Sequence, residues 1–253
     1  MRQPLVAGNW KLNGTRSSAV ELAKSVAQGC AGISIDTLIC PTFVHLPEVC
    51  LALGESTHLQ VGAQDCSDQS EGAYTGEISA LMLKETGVSS VIVGHSERRE
   101  YYGDSNERVA AKFEQVQNAG LTPIFCVGET ATEREAGDTR KVIGMQLKAV
   151  LQRSGVASLA NAVIAYEPVW AIGTGLTATP AEAQDVHHWL RGEVAAESSE
   201  VAGGIRILYG GSVKPDNAAE LFAEDDIDGG LIGGAALDAE SFTAICQAAA
   251  NSC

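Results

Sequence analysis

One glutamate, Glu167, stands between an apolar segment and a proline that is followed by a glycine-rich stretch. Residues 161–166 read as a buried strand, so Glu167 leaves the predicted sheet at its carboxyl edge, where α/β proteins carry their reactive groups. Gly173 and Gly175 leave the backbone free to move or to present amides to an anion. A solvated loop glutamate is the alternative, but the apolar run 168–170 favours a lid that excludes water and raises basicity. The segment is typical of a base for proton abstraction.

Two polar side chains follow the first predicted strand. Asn9 and Lys11 lie two positions apart between Gly8 and Gly14, so on an extended segment their side chains share a face. A surface lysine beside a turn asparagine would show the same pattern. Because these residues stand at the carboxyl end of a strand, Lys11 is the best candidate to hold an anionic substrate.

A histidine follows the fourth predicted strand directly. His95 stands where a short helix could begin, so the helix dipole would disfavour the imidazolium. A neutral imidazole could donate a hydrogen bond to a carbonyl group, although a lone histidine near an apolar run is more often structural. Ser96, Glu97 and the two arginines after them are interpreted as a polar support shell or an interface.

The last two predicted strands each end in a glycine pair. Gly210 and Gly211 precede Ser212, and Gly233 precedes Gly234. One pair alone would indicate only a tight turn. Two pairs after strands seven and eight are typical of a phosphate site made of backbone amides, to which Ser212 adds a hydroxyl. With no nucleophile paired to a base, no metal-ligand cluster and no cofactor motif in the sequence, acid–base chemistry on a small phosphorylated substrate remains.

Eight short apolar runs must position these groups, and segments with helical spacing, such as residues 19–26, lie between them. Thr179, Pro180 and Glu182 form the pattern of a capped helix start. Eight units in 253 residues are about 32 residues each, the size of a strand plus a crossover helix. The pattern favours one α/β domain over residues 1–253, a closed (β/α)8 barrel of parallel strands rather than an open doubly wound sheet. The predicted strands are 5–7, 37–40, 59–62, 90–93, 122–126, 162–165, 206–209 and 227–232.

The net charge of −15 disfavours nucleic acid and anionic membranes as partners. An anionic substrate then needs a local positive site. The seven cysteines include no CxxC pair, which argues against a disulfide framework and a zinc site. No signal segment or membrane-spanning run is recognised, so we expect a cytoplasmic protein. Cys126, on the fifth predicted strand, is interpreted as a packed small hydrophobe.

Five segments, residues 8–11, 94–99, 166–175, 209–212 and 233–234, together resemble the triosephosphate isomerase family in order along the whole chain. The resemblance implies that dihydroxyacetone phosphate and D-glyceraldehyde 3-phosphate interconvert through an enediolate, in glycolysis and gluconeogenesis. It implies that Glu167 moves the proton, that neutral His95 polarises the carbonyl oxygens, and that Lys11 and Asn9 supply charge and orientation. The implied phosphate donors are Gly173, Ser212, Gly233 and Gly234, under a lid that closes over residues 169–175.

Residues 64–65 and 72–77 resemble the family's third loop, which implies a homodimer in which Thr75 contacts the active site of the other copy. An ordinary exposed loop is the alternative. The chain departs from many relatives at Leu176, where they carry lysine, and at Ala236, where they carry serine. Another phosphosugar isomerase or aldolase on the same barrel, and a barrel without catalysis, stay open as alternatives. The presence of Asn9, Lys11, His95 and Glu167 argues against the second.

Overall fold

Eight parallel strands form a closed barrel within the residues that the structure, a computed structural model, describes, namely 2–54, 58–172 and 177–252. Neighbours in the sequence are neighbours in the barrel, and β1 also pairs with β8. The predicted (β/α)8 barrel is therefore confirmed. The strands are β1 (Leu5–Asn9), β2 (Asp36–Cys40), β3 (Leu59–Ala63), β4 (Ser90–Val93), β5 (Thr122–Val127), β6 (Val163–Tyr166), β7 (Arg206–Tyr209) and β8 (Gly229–Ile232).

Helices surround the barrel. In the described ranges the α-helices are α1 (Arg16–Gly29), α2 (Leu46–Leu53), α3 (Ala80–Glu85), α4 (Ser96–Tyr102), α5 (Asn106–Asn118), α6 (Ala131–Glu135), α7 (Thr139–Ser154), α8 (Pro180–Glu197), α9 (Ser199–Gly204), α10 (Pro215–Phe222) and α11 (Ala239–Asn251). Short 3₁₀ helices cover Phe43–His45, Val156–Asn161, Val169–Ala171 and Gly234–Leu237. Among the helices described, none is both long enough and apolar enough to cross a bilayer.

Local sequence explains where α8 begins. The hydroxyl of Thr179 accepts a hydrogen bond from the Glu182 backbone N–H at 3.2 Å, and the Glu182 carboxylate accepts one from the Thr179 N–H at 2.9 Å. Pro180 takes the first helical position, where a missing N–H costs nothing. The predicted capping box is therefore formed.

Two strands begin later than the sequence predicts because local turns use the backbone groups. Strand β6 begins at Val163 rather than at 161 or 162. The residues before it form a 3₁₀ helix, and the Ala162 N–H donates to Leu159 O at 3.2 Å at the end of this helix. Strand β8 begins at Gly229 rather than at 227, because the Ile227 N–H closes a turn onto Glu224 O at 3.3 Å.

Side chains fill the inside of the barrel, so it is a core and not a pore. One cluster lies within it, and a larger one lies between the strands and the helices. Cys126 belongs to the inner cluster and is fully buried, which agrees with its interpretation as a small hydrophobe. Because the interior is filled, a ligand must bind at the rim. The inner cluster consists of Leu5, Ala7, Leu38, Cys40, Ile92, Ile124, Cys126, Val163, Ala165, Leu208 and Leu231.

Candidate active site

A pocket of about 640 Å³ opens at the carboxyl ends of the strands. It brings together side chains from the ends of β1, β4 and β6 with the glycine-rich ends of β7 and β8. The predicted residues among those that line it are Asn9, Lys11, His95, Glu167, Ser212, Gly233 and Gly234. Gly173, Gly175 and Leu176 lie outside the described residues, so the predicted phosphate contact of Gly173 stays a prediction.

Glu167 is buried at the edge of this pocket, directly after β6. Its Oε2 accepts a hydrogen bond from the Ser96 N–H at 2.9 Å, and its Oε1 accepts one from the Ser96 hydroxyl at 3.1 Å. The Nε2 atom of His95 lies 3.0 Å from Oε1. Burial alone would raise the pKa of Glu167, but the contacts with His95 and Ser96 outweigh burial and lower it. The carboxylate is therefore held in the form that can accept a proton.

His95 is the N-cap of α4, as the sequence indicates. Its Nδ1 accepts a hydrogen bond from the Glu97 N–H at 3.2 Å. Because a backbone N–H can only donate, Nδ1 carries no proton, and the ring is a neutral tautomer with its proton on Nε2. Burial lowers the pKa of His95, yet the neighbouring Glu167 carboxylate outweighs burial and raises it. The helix dipole alone predicts a lowered pKa for His95. The nearby Glu167 carboxylate reverses the direction of the shift.

Lys11 reaches the pocket through a tight turn rather than an extended segment. Its φ of 52° lies in the left-handed region, and its N–H donates to Asn9 Oδ1 at 3.0 Å. The expectation that an extended backbone places the two side chains on one face is wrong at Lys11, although both line the pocket. Gln64 holds the turn through a bond from Nε2 to Lys11 O at 2.9 Å. The Nζ atom pairs with Glu97 Oε1 at 2.5 Å, and the supporting role predicted for Glu97 stays a prediction.

The glycine pair at the end of β7 has no room for side chains. A Cβ at Gly210 would lie 3.0 Å from Glu167 Cγ, and a Cβ at Gly211 would overlap the Tyr209 hydroxyl. A Cβ at Gly233 would lie 3.5 Å from Lys11 Cε. The glycines after β7 therefore pack closely against Glu167 and Tyr209, and Gly233 lies beside Lys11. Glycine backbone beside a lysine suits a phosphate group.

A second buried glutamate was missed by the sequence analysis. Glu129 lies two residues beyond β5, and its Oε1 accepts hydrogen bonds from the Tyr166 hydroxyl at 3.2 Å and the Trp170 indole at 3.0 Å. The guanidinium of Arg134 lies 4.2 Å from the centre of the Trp170 ring. Burial raises the pKa of Glu129. Its place after a predicted strand was the one available signal.

Within the described part of the chain, His, Cys, Asp and Glu side chains form no cluster that could hold a metal ion. The chemistry available in the pocket is that of a carboxylate base, an imidazole donor and an ammonium group. The glycines that follow β7 and β8 line the same pocket. Such an arrangement can take a proton from carbon while it stabilises the oxyanion that forms.

Comparison with known proteins decides the family. A family model described as triosephosphate isomerase matches residues 4–249. The chain belongs to the triosephosphate isomerase family. It is therefore an isomerase, and glycolysis is its metabolic context.

Curated members of the triosephosphate isomerase family match over nearly their full length. The protein from Dechloromonas aromatica (strain RCB) is 55% identical over 249 residues, which cover 98% of this chain and 100% of the relative. The protein from Stenotrophomonas maltophilia (strain K279a) is 55% identical over 250 residues, with 99% of each chain covered. The protein from Pseudomonas syringae pv. tomato (strain ATCC BAA-871 / DC3000) is 52% identical over 252 residues, which cover 99% of this chain and 100% of the relative. All three carry the name triosephosphate isomerase.

Ala236, one of the two departures expected from the sequence, lies in the core. Ala236 is fully buried, and its Cβ would lie 2.9 Å from a Cβ added at Gly8. A small apolar side chain fits where β1 passes the Gly234–Leu237 helix. The other departure, Leu176, lies outside the described residues.

Proposed function

We propose that Glu167 carries the proton between adjacent carbons as this chain interconverts dihydroxyacetone phosphate and D-glyceraldehyde 3-phosphate. The observation that supports this role is the position of Glu167: it is buried, has a lowered pKa, and lines the same pocket as Lys11 and His95. The carboxylate takes a proton from one carbon, an enediolate forms, and the same group returns the proton to the neighbouring carbon.

His95 would stabilise the oxyanion. In the free protein its Nε2–H faces Glu167, so a bound carbonyl oxygen must replace the carboxylate as the acceptor. Once Glu167 turns to the substrate carbon, the main cause that raises the pKa of His95 is weakened, and burial favours the neutral ring. Lys11 would add a full positive charge, and Asn9 would orient the oxygens.

Ser212, Gly233 and Gly234 would bind the phosphate, together with Gly173. The support is their place in one pocket with Lys11, whose charge attracts the dianion despite the negative charge of the whole protein. Closure of residues 169–175 would exclude water and keep the enediolate from losing phosphate. One domain, residues 1–253, would carry these functions in the cytoplasm.

A homodimer would complete the site. Beside Lys11 lies a groove of about 660 Å³ whose wall includes the exposed side chains of Leu12 and Val44, with 94% and 76% of their surface accessible. Thr75 lies on an exposed loop. We propose that this loop fills the groove of a second copy and brings Thr75 beside Asn9 and Lys11 there. Solution mass tests the dimer, and the mass of one chain at micromolar concentration would contradict it.

Steady-state turnover tests the activity. The chain should convert D-glyceraldehyde 3-phosphate to dihydroxyacetone phosphate and catalyse the reverse reaction without an added cofactor. An inactive dimer would refute the proposal, and cleavage of a larger phosphosugar would favour the aldolase alternative. The variant Glu167→Asp should lower kcat by about 100-fold or more with a small change in KM, because the carboxylate retreats by one methylene.

A further inference from the structure

Gln146 makes a paired contact with one backbone residue behind the pocket. It lies on α7, and only 7% of its surface is exposed. Its Oε1 accepts a hydrogen bond from the Gly128 N–H at 2.8 Å, and its Nε2 donates to Gly128 O at 2.9 Å. One side-chain amide thus satisfies both polar groups of one residue, as a neighbouring strand would.

Gly128 lacks a strand partner on that side. The N–H groups of Glu167 and Val169 donate to Val127 O and Glu129 O, at 2.8 and 3.1 Å, so the groups of Gly128 between them point the other way. The last residue of β4 pairs with residue 125 of β5. Only a longer β4 could reach the polar groups of Gly128. The chain has turned into α4 at Ser96 instead. The Gln146 amide occupies the place that β4 leaves.

The backbone of Gly128 packs directly against that of Glu167. A Cβ on Gly128 would overlap Glu167 O and lie 3.2 Å from Glu167 Cβ, so the two backbones touch where the proposed base emerges. A cavity of about 320 Å³ borders Gln146, Gly128 and Glu167. It would give Gly128 room to shift if the amide were lost.

We infer that Gln146 is a positioning residue for catalysis: through its paired hydrogen bonds to Gly128 it fixes the backbone from which the Glu167 carboxylate projects. The inference rests on the proposed role of Glu167 and extends it to a residue that touches no substrate. A displacement of about 1 Å can lower a rate by about 100-fold. Loss of the amide should therefore reduce the chemical step more than substrate binding.

The test compares Gln146→Met with Gln117→Met. Methionine keeps the length and the helix propensity but neither hydrogen bond. Gln117 is the matched control, because its Nε2 donates to Ser158 O at 2.6 Å, a half-buried amide-to-backbone contact away from the pocket. We expect kcat of Gln146→Met to fall about 10- to 100-fold, while KM and the inhibition constant of inorganic phosphate stay within about threefold. Gln117→Met should lose thermal stability and keep kcat.

A folded Gln146→Met variant with kcat within twofold of the unchanged protein would overturn the inference. An equal fall in kcat for Gln117→Met would do the same, because it would indicate general loosening. If Gln146→Met does not fold, Gln146→Glu decides, since it keeps the size and an acceptor for the Gly128 N–H; unchanged kcat there would refute the inference. Failure of the proposed function is distinct, because the unchanged protein would then be inactive.

Discussion

Two buried glutamates, Glu129 and Glu167, follow neighbouring strands, yet their surroundings differ. Glu167 receives a backbone N–H and a hydroxyl from Ser96 and contacts His95. Glu129 receives two aromatic donors, the Tyr166 hydroxyl and the Trp170 indole. The pKa of Glu167 is lowered, whereas burial raises that of Glu129.

The contrast shows that burial does not make a carboxylate a base. Burial opposes ionisation at both positions, and the donors decide the outcome. Glu167 also borders the pocket that Lys11 enters. Glu129 joins β5 to the residues after Glu167, since the Val169 N–H donates to its carbonyl at 3.1 Å. We interpret Glu129 as an anchor for the segment after the base.

The largest effect is expected when the same substitution is made at each of the two glutamates. Glu167→Gln should lower kcat by about 1,000-fold, because a neutral amide cannot accept the proton and general base catalysis contributes about 100- to 10,000-fold. Glu129→Gln keeps an acceptor for Tyr166 and Trp170 and should change kcat by less than about threefold. Steady-state kinetics at neutral pH measures both. Similar losses of kcat in the two variants would contradict the different roles assigned to Glu167 and Glu129.

A smaller effect is expected where Ser96 loses its hydroxyl. Ser96→Ala removes one donor to the Glu167 carboxylate and keeps the backbone N–H. Since that donor favours the ionised form, its loss should raise the pKa of Glu167. Activity requires the ionised base and disappears as pH falls through this pKa, so the acid limb of kcat/KM should move to higher pH. We expect kcat to fall by no more than about tenfold.

The pH profile of kcat/KM is the measurement, and Ser89→Ala is its control. The Ser89 hydroxyl bonds to Gln60 at 3.2 Å, away from the pocket. An acid limb that stays in place in Ser96→Ala would show that the hydroxyl does not tune the base.

The smallest effect concerns the surroundings of Glu129. Arg134 stacks on Trp170 and pairs with Glu182 at 2.7 Å. Arg134→Gln should reduce the free energy of unfolding by about 1 kcal/mol and leave kcat within about threefold. Because Arg134 attracts only ionised Glu129, the loss should grow as pH rises through the raised pKa of that group.

Thermal unfolding at several pH values measures this loss. Arg140→Gln is the control, because Arg140 forms an exposed pair with Asp185 at 3.2 Å and should contribute little. An equal loss of stability in Arg140→Gln would mean that the contacts of Arg134 near Glu129 contribute no more than an exposed ion pair.

The sequence predicted the main groups of the candidate site because β/α alternation places every strand's carboxyl end at one rim. His95 and Glu167 could be predicted without knowing which side chains contact each other. Gln146 could not be found this way, because its partner lies 18 positions away and the contact depends on side-chain packing. The place of Glu129 after a strand was a signal, but its contacts 37 and 41 positions away were not predictable. The raised pKa of His95 was unpredictable for the same reason. The turn at Lys11 depends on the Asn9 side chain, which a strand pattern does not show.

Closure of β1 against β8 sets the order in which the molecule can become complete during synthesis. Leu5 donates its N–H to Asp228 O at 3.0 Å, and the Arg2 side chain reaches Asp228 from 226 positions away. While the chain emerges from the ribosome, one edge of β1 therefore has no strand to pair with until β8 is made. Such distant pairing slows folding and leaves an open edge prone to association. Removal of residues 1–9, which include all of β1, would reopen the same seam in the finished protein.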